Sequence, residues 1–319
     1  MTNSRKSVEL HSSQLTAHSS QPRLVFINYA NEQYKYQQKF ALWAAKKYGG
    51  FTEVKAYGPD SLDDKFRTTH KELLSIKRGN GLWIWKPYII LNALDDCKDG
   101  DYVFYCDSGA CFFSSVMPLI SSMGDSDVWV SNISLIEEQW TKPQVFDELG
   151  ITDEGIKCSG QVQSSFVLVR KSEKSVAFVR EWLSLCVRPE LIKPLEPGEY
   201  KGECLEHRED QSMLSVLSKM RGIKAHKNPS IMPTYNYEPV IIPKIKLFIK
   251  KLIGWKIPPK TPKGPPPPWV YAKRVQQVYD DTYSPCIYLH RIRRAKSVIS
   301  VAYQIMRGMG FKAAVKRFL

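Results

Sequence analysis

Short apolar runs alternate along the chain with segments whose apolar residues recur at helical spacing. The runs Leu24 to Asn28 and Asp101 to Cys106 have the length and composition of buried strands. Segments such as Gln33 to Lys47 and Ser172 to Cys186 carry apolar residues three and four positions apart, the spacing of amphipathic helices. Strands that alternate with helices predict an α/β protein whose central sheet is mostly parallel and covered by helices.

Composition and charge divide the chain into three predicted regions. Residues 1–22 are rich in Ser, Gln and His, which predicts a disordered leader. Residues 23–240 hold the strand–helix alternation and form the predicted catalytic domain. Residues 241–319 form a basic, Pro-rich and amphipathic helical extension. They contain 17 of the 46 Lys and Arg residues but only 2 of the 32 acidic ones, which leaves 29 basic and 30 acidic residues in the first 240.

Several protein classes are disfavoured by what the sequence lacks. No run of about 18 uncharged apolar residues occurs, so no membrane-spanning helix is predicted. The first residues carry no apolar segment typical of a signal peptide. The 7 cysteines form no CxxC pair, which argues against a structural zinc site and favours a reducing compartment. A cytoplasmic location is therefore expected.

The strand that ends at Cys106 continues directly into Asp107, Ser108 and Gly109. Such a sequence places a carboxylate at the carboxyl edge of an α/β sheet, where ligands of open sheets bind. A carboxylate there is a suitable ligand for Mg²⁺ or Mn²⁺ on a diphosphate, because such an ion needs only one or two protein carboxylates.

Cations and indoles precede this strand. Arg78, Trp83, Trp85 and Lys86 lie in a Gly-punctuated loop before Pro87, which is expected to start a helix. Cationic side chains beside a helix N-terminus favour phosphate. The two indoles, two residues apart, would share one face of an extended segment, either stacking on a ring of the ligand or forming an aromatic core. Together these residues indicate a phosphorylated, ring-bearing ligand such as a nucleotide sugar.

Two later motifs add candidate chemistry. HREDQS places Asp210 and Gln211 in the first turn of a predicted helix, where they could contact sugar hydroxyls or act at the anomeric carbon, or serve only the helix dipole. YLHRIR carries His290 as a candidate metal or phosphate ligand and Arg291 as a candidate bidentate phosphate ligand.

Five blocks of the sequence together resemble bacterial-type glycosyltransferases of the GT-A fold. In order between Leu24 and Arg294, they are RGNGLWIWKPYIILNAL, DGDYVFYCDSG, QSSFVLVRKSEKSVAFVREWL, HREDQS and LHRIR. The resemblance implies a Rossmann-like nucleotide-sugar domain, a nucleoside-diphosphate sugar as donor, and a saccharide or lipid-linked acceptor in surface polysaccharide biosynthesis.

The resemblance also implies residue roles. Asp107 takes the place of an Asp-x-Asp metal motif and, with His290, is expected to hold Mn²⁺ or Mg²⁺. Asp210 and Gln211 are the expected catalytic residues. The donor is expected to contact Asn28, Tyr29, Arg78, Trp83, Trp85, Lys86, Asp107, Ser108, Gly109 and Arg291. The acceptor is expected to contact Gln163, Ser164, Ser165 and Arg208.

One position departs from this pattern, because residue 109 is Gly and only the first half of the Asp-x-Asp motif is present. Two routes therefore stay open. In the first, a metal ion held by Asp107 and His290 offsets the charge of the leaving diphosphate. In the second, Arg78, Lys86 and Arg291 neutralise that charge without a metal.

Two other functions are compatible with parts of the sequence. A nucleotidyltransferase would also use an α/β sheet, an acid-bound Mg²⁺ and basic phosphate ligands, but the Gly-rich basic loop expected after its first strand is replaced by Tyr-Ala-Asn-Glu. The basic C-terminal region could bind nucleic acid, although no recognisable nucleic-acid motif occurs. Contact of this region with an anionic membrane surface is favoured over simple packing on the catalytic domain.

Overall fold

The computed structural model describes residues 21–196, 198–232 and 272–318 of the 319-residue chain. The strands in these ranges are β1 (Leu24–Tyr29), β2 (Glu53–Tyr57), β3 (Tyr102–Cys106), β4 (Ala110–Phe112), β5 (Val128–Ile136), β6 (Gly160–Arg170), β7 (Ala225–His226), β8 (Ser230–Ile231) and β9 (Ile287–Leu289). Almost all of the predicted leader, the predicted Pro-rich linker at 258–268 and the amphipathic stretch before it lie outside the described residues.

The helices of the described ranges vary in length from one turn to four. They are α1 (Lys35–Ala44), α2 (Asp64–Thr69), α3 (Lys71–Leu74), α4 (Gly79–Leu82), α5 (Trp85–Asp95), α6 (Met117–Ser122), α7 (Glu137–Trp140), α8 (Pro143–Glu148), α9 (Glu154–Lys157), α10 (Glu173–Cys186), α11 (Pro189–Ile192), α12 (Glu209–Met220), α13 (Val298–Met309) and α14 (Phe311–Phe318).

Six strands form a central mixed sheet in the order β2-β1-β3-β6-β5-β7. β1 pairs in parallel with β2 and β3, and β5 pairs in parallel with β7. β6 is antiparallel to both of its neighbours, β3 and β5. Five strands therefore share one direction, and the prediction of an α/β fold with a mostly parallel sheet is confirmed.

Helices cover both faces of this sheet because successive strand residues point to opposite sides. In β1, Val25 and Ile27 join one apolar core, whereas Leu24 and Phe26 join the other. The first core includes residues of α5, α10 and α12, and the second includes residues of α1 and α6. The crossover from β1 to β2 therefore runs over one face, and the crossover from β2 to β3 runs over the other.

This reversal of winding at β1 creates a topological switch point between β1 and β3. In open α/β sheets, the crevice at the carboxyl ends of the two strands at such a point is the usual ligand site. The residues that follow these strand ends are Ala30 after β1 and Asp107 after β3. The topology alone thus directs attention to the position of Asp107.

A second, three-stranded sheet brings the end of the chain to the same place. β9 pairs antiparallel with β4 and in parallel with β8. Since β4 begins one residue after Gly109, this pairing sets the segment after β9 against the Asp107 turn. The Arg291 backbone N–H donates to the Gly109 carbonyl oxygen at 2.9 Å.

The C-terminal helices α13 and α14 confirm a helical extension in the described part of residues 241–319. Val301 and Ile305 of α13 pack against Phe40 and Ala44 of α1. Ile299 lies on another side of α13 and is 81% exposed. None of the helices in the described ranges is both long and apolar enough to cross a membrane.

Candidate active site

A cleft of about 440 Å³ opens at the carboxyl ends of β1 and β3. Its volume falls within the roughly 300 to 1,000 Å³ that is usual for small-molecule sites. Most of the residues singled out from the sequence line it: Tyr29, Arg78, Trp83, Trp85, Lys86, Asp107, Ser108, Gly109, Ser164, Ser165, Arg208, Asp210, Gln211 and Arg291. Residues as far apart in sequence as Tyr29 and Arg291 therefore meet at one site.

Three of the expected site residues do not line the cleft. Asn28 is fully buried within β1, and the Gln163 amide donates to Ser131 Oγ at 2.8 Å. His290 is also buried, and its Nδ1 accepts from the backbone N–H of Ile292 at 3.1 Å. The expected direct contacts of Asn28 with the donor and of Gln163 with the acceptor are therefore not supported, because strand alternation turns these side chains into the interior.

A buried ammonium group joins two carboxylates inside the cleft. Lys86 Nζ lies 2.7 Å from Asp210 Oδ2 and 3.6 Å from Asp107 Oδ1. It also donates to Ser164 Oγ at 3.0 Å. The side chain of Lys86 is only 2% exposed, whereas that of Asp107 is 33% exposed. The first turns of α5 and α12 and the end of β3 each supply one member of this triad.

Burial and charge act in opposite directions on the triad. Burial disfavours the charged form of Lys86, but the Asp107 and Asp210 carboxylates outweigh it and raise the pKa of the ammonium group. Burial raises the pKa of Asp210, although Lys86 opposes that shift. The contact of Lys86 with a diphosphate stays a prediction, and in this structure the ammonium group is paired with the two acids.

The triad carries one positive and two negative charges when all three groups are ionised. A net charge of about −1 at this point of the cleft would favour a bound cation, or the positive charge that develops on a sugar as its leaving group departs. Tyr105 also donates its hydroxyl to Asp107 Oδ1 at 2.6 Å. Asp107 Oδ1 accepts this hydrogen bond, and Asp107 Oδ2 does not.

Tyr105 is a site residue that sequence reasoning missed, since it was treated only as part of an apolar strand. The signal was its position two residues before Asp107. Residues at that spacing share one face of a strand. Its hydroxyl fixes the rotamer of the carboxylate on which the site depends.

Asp107 and His290 are the residues whose chemistry fits a divalent cation. His290 Nε2 is buried and has no hydrogen-bond partner among the described residues. Burial lowers the pKa of His290 to about 3, which keeps the imidazole in the neutral form that binds metals. No group of three or more His, Cys, Asp or Glu side chains placed to hold a metal occurs in the described ranges. Mg²⁺ bound through one or two carboxylates takes its other ligands from substrate phosphates and water.

Arg78 forms a second charged cluster with two glutamates at the edge of the cleft. Its Nε lies 2.5 Å from Glu209 Oε1, and its Nη2 lies 2.9 Å from Glu206 Oε1. Glu209 is 3% exposed, and burial raises its pKa to about 7 despite the opposing effect of Arg78. Sequence reasoning missed Glu209, although it precedes Asp210 in the same motif.

We expect Glu209→Gln to become more stable than the wild type as the pH rises. The pKa of Glu209 is raised from 4.5 to about 7 on folding, so the folded state holds this proton more tightly than the unfolded state. The contribution of this bound proton to the stability of the wild type is complete below pH 4.5 and is lost as the pH rises through about 7. The advantage of the variant should grow by on the order of 3 kcal/mol across this interval.

Urea unfolding of both proteins at several pH values between about 4.5 and 8 measures this effect. Because the quantity is a difference between two proteins, titrating groups that do not interact with Glu209 cancel. A difference that stays constant with pH would contradict the burial of an ionisable Glu209.

Strained backbone is concentrated around the cleft. Among the residues that the structure describes, five non-glycine residues have positive φ: Asn80, Leu82, Trp83, Glu209 and Arg291, at 55°, 54°, 59°, 40° and 49°. All of them except Leu82 line the cleft. Such conformations cost on the order of 1–3 kcal/mol each and tend to cluster at functional sites, where the surrounding structure holds them. Their position here supports a functional role for the cleft.

The segment around Trp83 and Trp85 differs from the extended conformation expected from its sequence. Trp83 has left-handed backbone angles, and Trp85 starts α5, two residues before the expected start at Pro87. Trp85 is buried, stacks on Tyr29 with ring centroids 3.7 Å apart, and donates its indole N–H to the Gly79 carbonyl at 2.9 Å. The two indoles therefore do not share a strand face, and Trp85 serves largely as an aromatic support for Tyr29.

Exposed cations at the mouth of the cleft are available to an anionic ligand. Arg291 and Arg293 both line the cleft and are exposed. Within the described part of the chain, neither forms an ion pair with a carboxylate. Guanidinium groups bind phosphate oxygens in a bidentate manner. Within the described ranges, both guanidinium groups are therefore free of carboxylate partners, whereas the Lys86 ammonium group is paired with two acids.

The chain is similar to known proteins in structure rather than in sequence. No protein-family model matches the chain, and no curated protein sequence matches it. Mouse xyloside xylosyltransferase 1 is similar in structure, with 9% identity, coverage of 84% of this chain and 96% of that chain, and a TM-score of 0.42. The galactosyltransferase LgtC, solved with donor and acceptor sugar analogues, has 13% identity, coverage of 93% and 96%, and a TM-score of 0.40.

The glycosyltransferase GlyE of Streptococcus pneumoniae is also similar, with 13% identity and a TM-score of 0.38. The match covers 92% of this chain and 64% of GlyE. All three proteins are glycosyltransferases by name.

Proposed function

We propose that this protein is a glycosyltransferase that moves a sugar from a nucleoside-diphosphate sugar to a hydroxyl group of a saccharide or lipid-linked acceptor. The observation that carries the proposal is the buried Lys86 ammonium group, which holds Asp107 and Asp210 together at the switch point of the sheet. An acidic centre beside exposed arginines suits a ligand with an anionic diphosphate and a sugar that becomes cationic during transfer.

On the donor side, the diphosphate would lie between Asp107 and the exposed Arg291 and Arg293. The two guanidinium groups offset the charge of the phosphate oxygens and of the leaving nucleoside diphosphate. Asp107, with His290, would hold Mn²⁺ or Mg²⁺, and such an ion would act as a Lewis acid on the diphosphate. Ser108 donates its hydroxyl to the Tyr29 carbonyl at 2.7 Å and so fixes the turn after Asp107.

On the sugar side, Asp210 and Gln211 would face the transferred sugar from the first turn of α12. Asp210 is held by Lys86, so it contributes a fixed negative charge rather than a mobile base. A fixed charge that needs no reorganisation is an effective way to stabilise developing positive charge. Positioning of the acceptor hydroxyl supplies the rest of the rate acceleration.

Ser164, Ser165 and Arg208 are the proposed acceptor-side residues. All three line the cleft. The Arg208 guanidinium lies 4.3 Å from the centre of the Trp140 ring, and this cation–π contact holds the side chain in place. An acceptor hydroxyl would find hydrogen-bond partners on the two serines and on this guanidinium.

A role in surface polysaccharide biosynthesis, a cytoplasmic location and contact with an anionic membrane remain predictions. The described helices that would make such a contact are α13 and α14, in which Ile299, Lys316 and Arg317 are exposed. Each basic residue near an anionic surface contributes roughly 1 kcal/mol. Undiminished sedimentation with anionic vesicles after deletion of residues 294–319 would exclude this role.

A panel of nucleoside-diphosphate sugars, with and without Mn²⁺, tests the proposed function. A donor present at about 100 times its Kd should stabilise the protein by about 2.7 kcal/mol, seen as a higher Tm. The stabilising donor should then release its nucleoside diphosphate in the presence of acceptors. The matching nucleoside monophosphates serve as controls. Failure of every sugar nucleotide to raise the Tm or to be turned over would overturn the proposal.

A further inference from the structure

A series of side-chain hydrogen bonds leads from the buried Glu137 through Gln161 to Gln211 on the cleft wall. Gln211 of α12 donates from Nε2 to Gln161 Oε1 at 2.6 Å. Gln161 of β6 donates from its own Nε2 to Glu137 Oε1 at 3.2 Å. Gln161 and Glu137 are both 0% exposed, whereas Gln211 is partly exposed in the cleft. Neither Gln161 nor Glu137 lines the cleft.

Glu137 determines which way the hydrogen bonds in this series run. Its Oε2 accepts from the Ser215 hydroxyl and lies 2.5 Å from Lys219 Nζ, and its Oε1 accepts from the Thr141 hydroxyl at 2.5 Å. The carboxylate is thus paired with the Lys219 ammonium group, and a carboxylate in such an ion pair only accepts hydrogen bonds. The Gln161 amide must therefore turn its NH₂ group toward Glu137.

A second acceptor enforces the same orientation of Gln161. The Trp140 carbonyl oxygen, which can only accept, lies 3.3 Å from Gln161 Nε2. With its NH₂ group held by Trp140 and Glu137, Gln161 presents its oxygen to Gln211. Gln211 must then present its NH₂ group to Gln161, which leaves its own Oε1 on the cleft side, 3.4 Å from the backbone N–H of Ser164.

We propose that Gln161 and Glu137 are positioning residues that orient the Gln211 amide with its carbonyl oxygen toward the transferred sugar. This inference rests on the proposed glycosyltransferase function. An unrestrained glutamine would present either its oxygen or its nitrogen, and the reversed orientation would cost little in solvent. The series of hydrogen bonds removes this choice, so a sugar in the cleft meets a hydrogen-bond acceptor.

The orientation has a chemical consequence for the substrate. A carbonyl oxygen accepts a hydrogen bond from a sugar hydroxyl, whereas an NH₂ group would not. The same oxygen carries partial negative charge, which stabilises positive charge developing at the anomeric carbon. Gln211 and the fixed Asp210 charge would then act on the sugar from adjacent positions of α12.

A double-mutant cycle can measure, without any substrate, which end of the Gln161 amide faces Gln211. Gln211→Glu places a carboxylate of the same shape opposite Gln161. If Gln161 presents its oxygen, as proposed, the new carboxylate is repelled, and adding Gln161→Met relieves that repulsion. The folded-to-unfolded ratio of the double variant should be at least about tenfold higher than the ratio expected if the two single substitutions acted independently.

The sign of the coupling decides the orientation. If Gln161 presented its NH₂ group instead, Gln211→Glu would gain a hydrogen bond, and Gln161→Met would make it worse. Either that opposite sign or a coupling of zero overturns the proposal. Glu137→Gln should shrink the coupling, because Gln161 is then freer to turn. Asp101→Asn, a buried acid-to-amide exchange near the opposite edge of the sheet, is the matched control and should be additive with Gln211→Glu.

Kinetics provide the functional readout and a second route should Gln211→Glu fail to fold. With the sugar nucleotide found in the panel, Gln161→Met should lower kcat at least about tenfold and change the donor KM less than about twofold. Equal losses in Asp101→Asn, or a wild-type kcat in Gln161→Met, would contradict positioning. If no sugar nucleotide is turned over by the wild type, the proposed function fails, while the stability cycle still tests the orientation of Gln211.

Discussion

Replacement of Asp107 by alanine is expected to reduce turnover about a thousandfold or more while the protein stays folded. Asp107 is the more exposed carboxylate of the triad and the one at the carboxyl end of β3. Loss of one preorganised electrostatic group at a reacting centre typically costs a factor of about 10² to 10³ in kcat. Loss of a metal ligand at the same position would add to this effect.

The fold should survive because Asp107 is partly exposed and its replacement leaves, among the described residues, only Tyr105 without its hydrogen-bond partner, while Lys86 loses its longer ion pair but keeps Asp210 at 2.7 Å. Such a loss costs about 1 to 3 kcal/mol. Turnover with the sugar nucleotide from the panel and urea unfolding should both be measured. Asp99→Ala is the matched control, since Asp99 is exposed and precedes the opposite end of β3. Near-normal turnover in Asp107→Ala would contradict the assignment of Asp107 to the active site.

Replacement of Lys86 by methionine is expected to destabilise the protein by about 3 to 5 kcal/mol, the cost of leaving a buried charge without its partner. Methionine preserves the length and most of the volume of the side chain but leaves Asp210, which is 5% exposed, facing Asp107 without a cation. Part of this loss should appear as uptake of a proton by Asp210, so the variant should be less destabilised at low pH.

The double variant Lys86→Met with Asp210→Asn separates the effect of charge from that of packing. It should recover most of the lost stability, because no buried carboxylate is then left unpaired. Lys55→Met is a suitable control, since the Lys55 ammonium lies 3.3 Å from Glu53 and 3.0 Å from Asp96 at the surface. That change should cost less than about 1 kcal/mol. Wild-type stability in Lys86→Met would show that the triad is not an ion-paired unit.

Local features of the site were accessible from the sequence because they depend on neighbouring residues. The strand before Asp107 and the helix after HREDQS are short-range patterns, and the structure places both acids at the cleft. The α/β class followed from the same alternation of strands and helices. The conformation around Trp83 was mispredicted because left-handed angles there depend on packing against Gly79 and not on an intrinsic preference.

Pairings between distant residues could not be read in this way. Lys86 was interpreted as a phosphate ligand because cations near a helix start usually are, yet it pairs with Asp210, which lies 124 residues later. Arg78 likewise pairs with distant residues, Glu209 and Glu206, because the fold brings α4 beside the start of α12. Gln161 showed no signal at all, since its role depends on Glu137 behind it and Gln211 in front of it.

The sequence by itself determined which residues could form strands and helices, which acid would stand at the edge of the sheet, and where the basic residues are concentrated. These properties follow from side-chain periodicity and from chain neighbours. Only the tertiary structure decided which charges neutralise one another, which nitrogen or oxygen of a buried amide faces the cleft, and which side chains turn into the core. Such choices depend on burial and on partners far along the chain, because removal from water makes an unpaired charge or polar atom costly and thereby selects its partner.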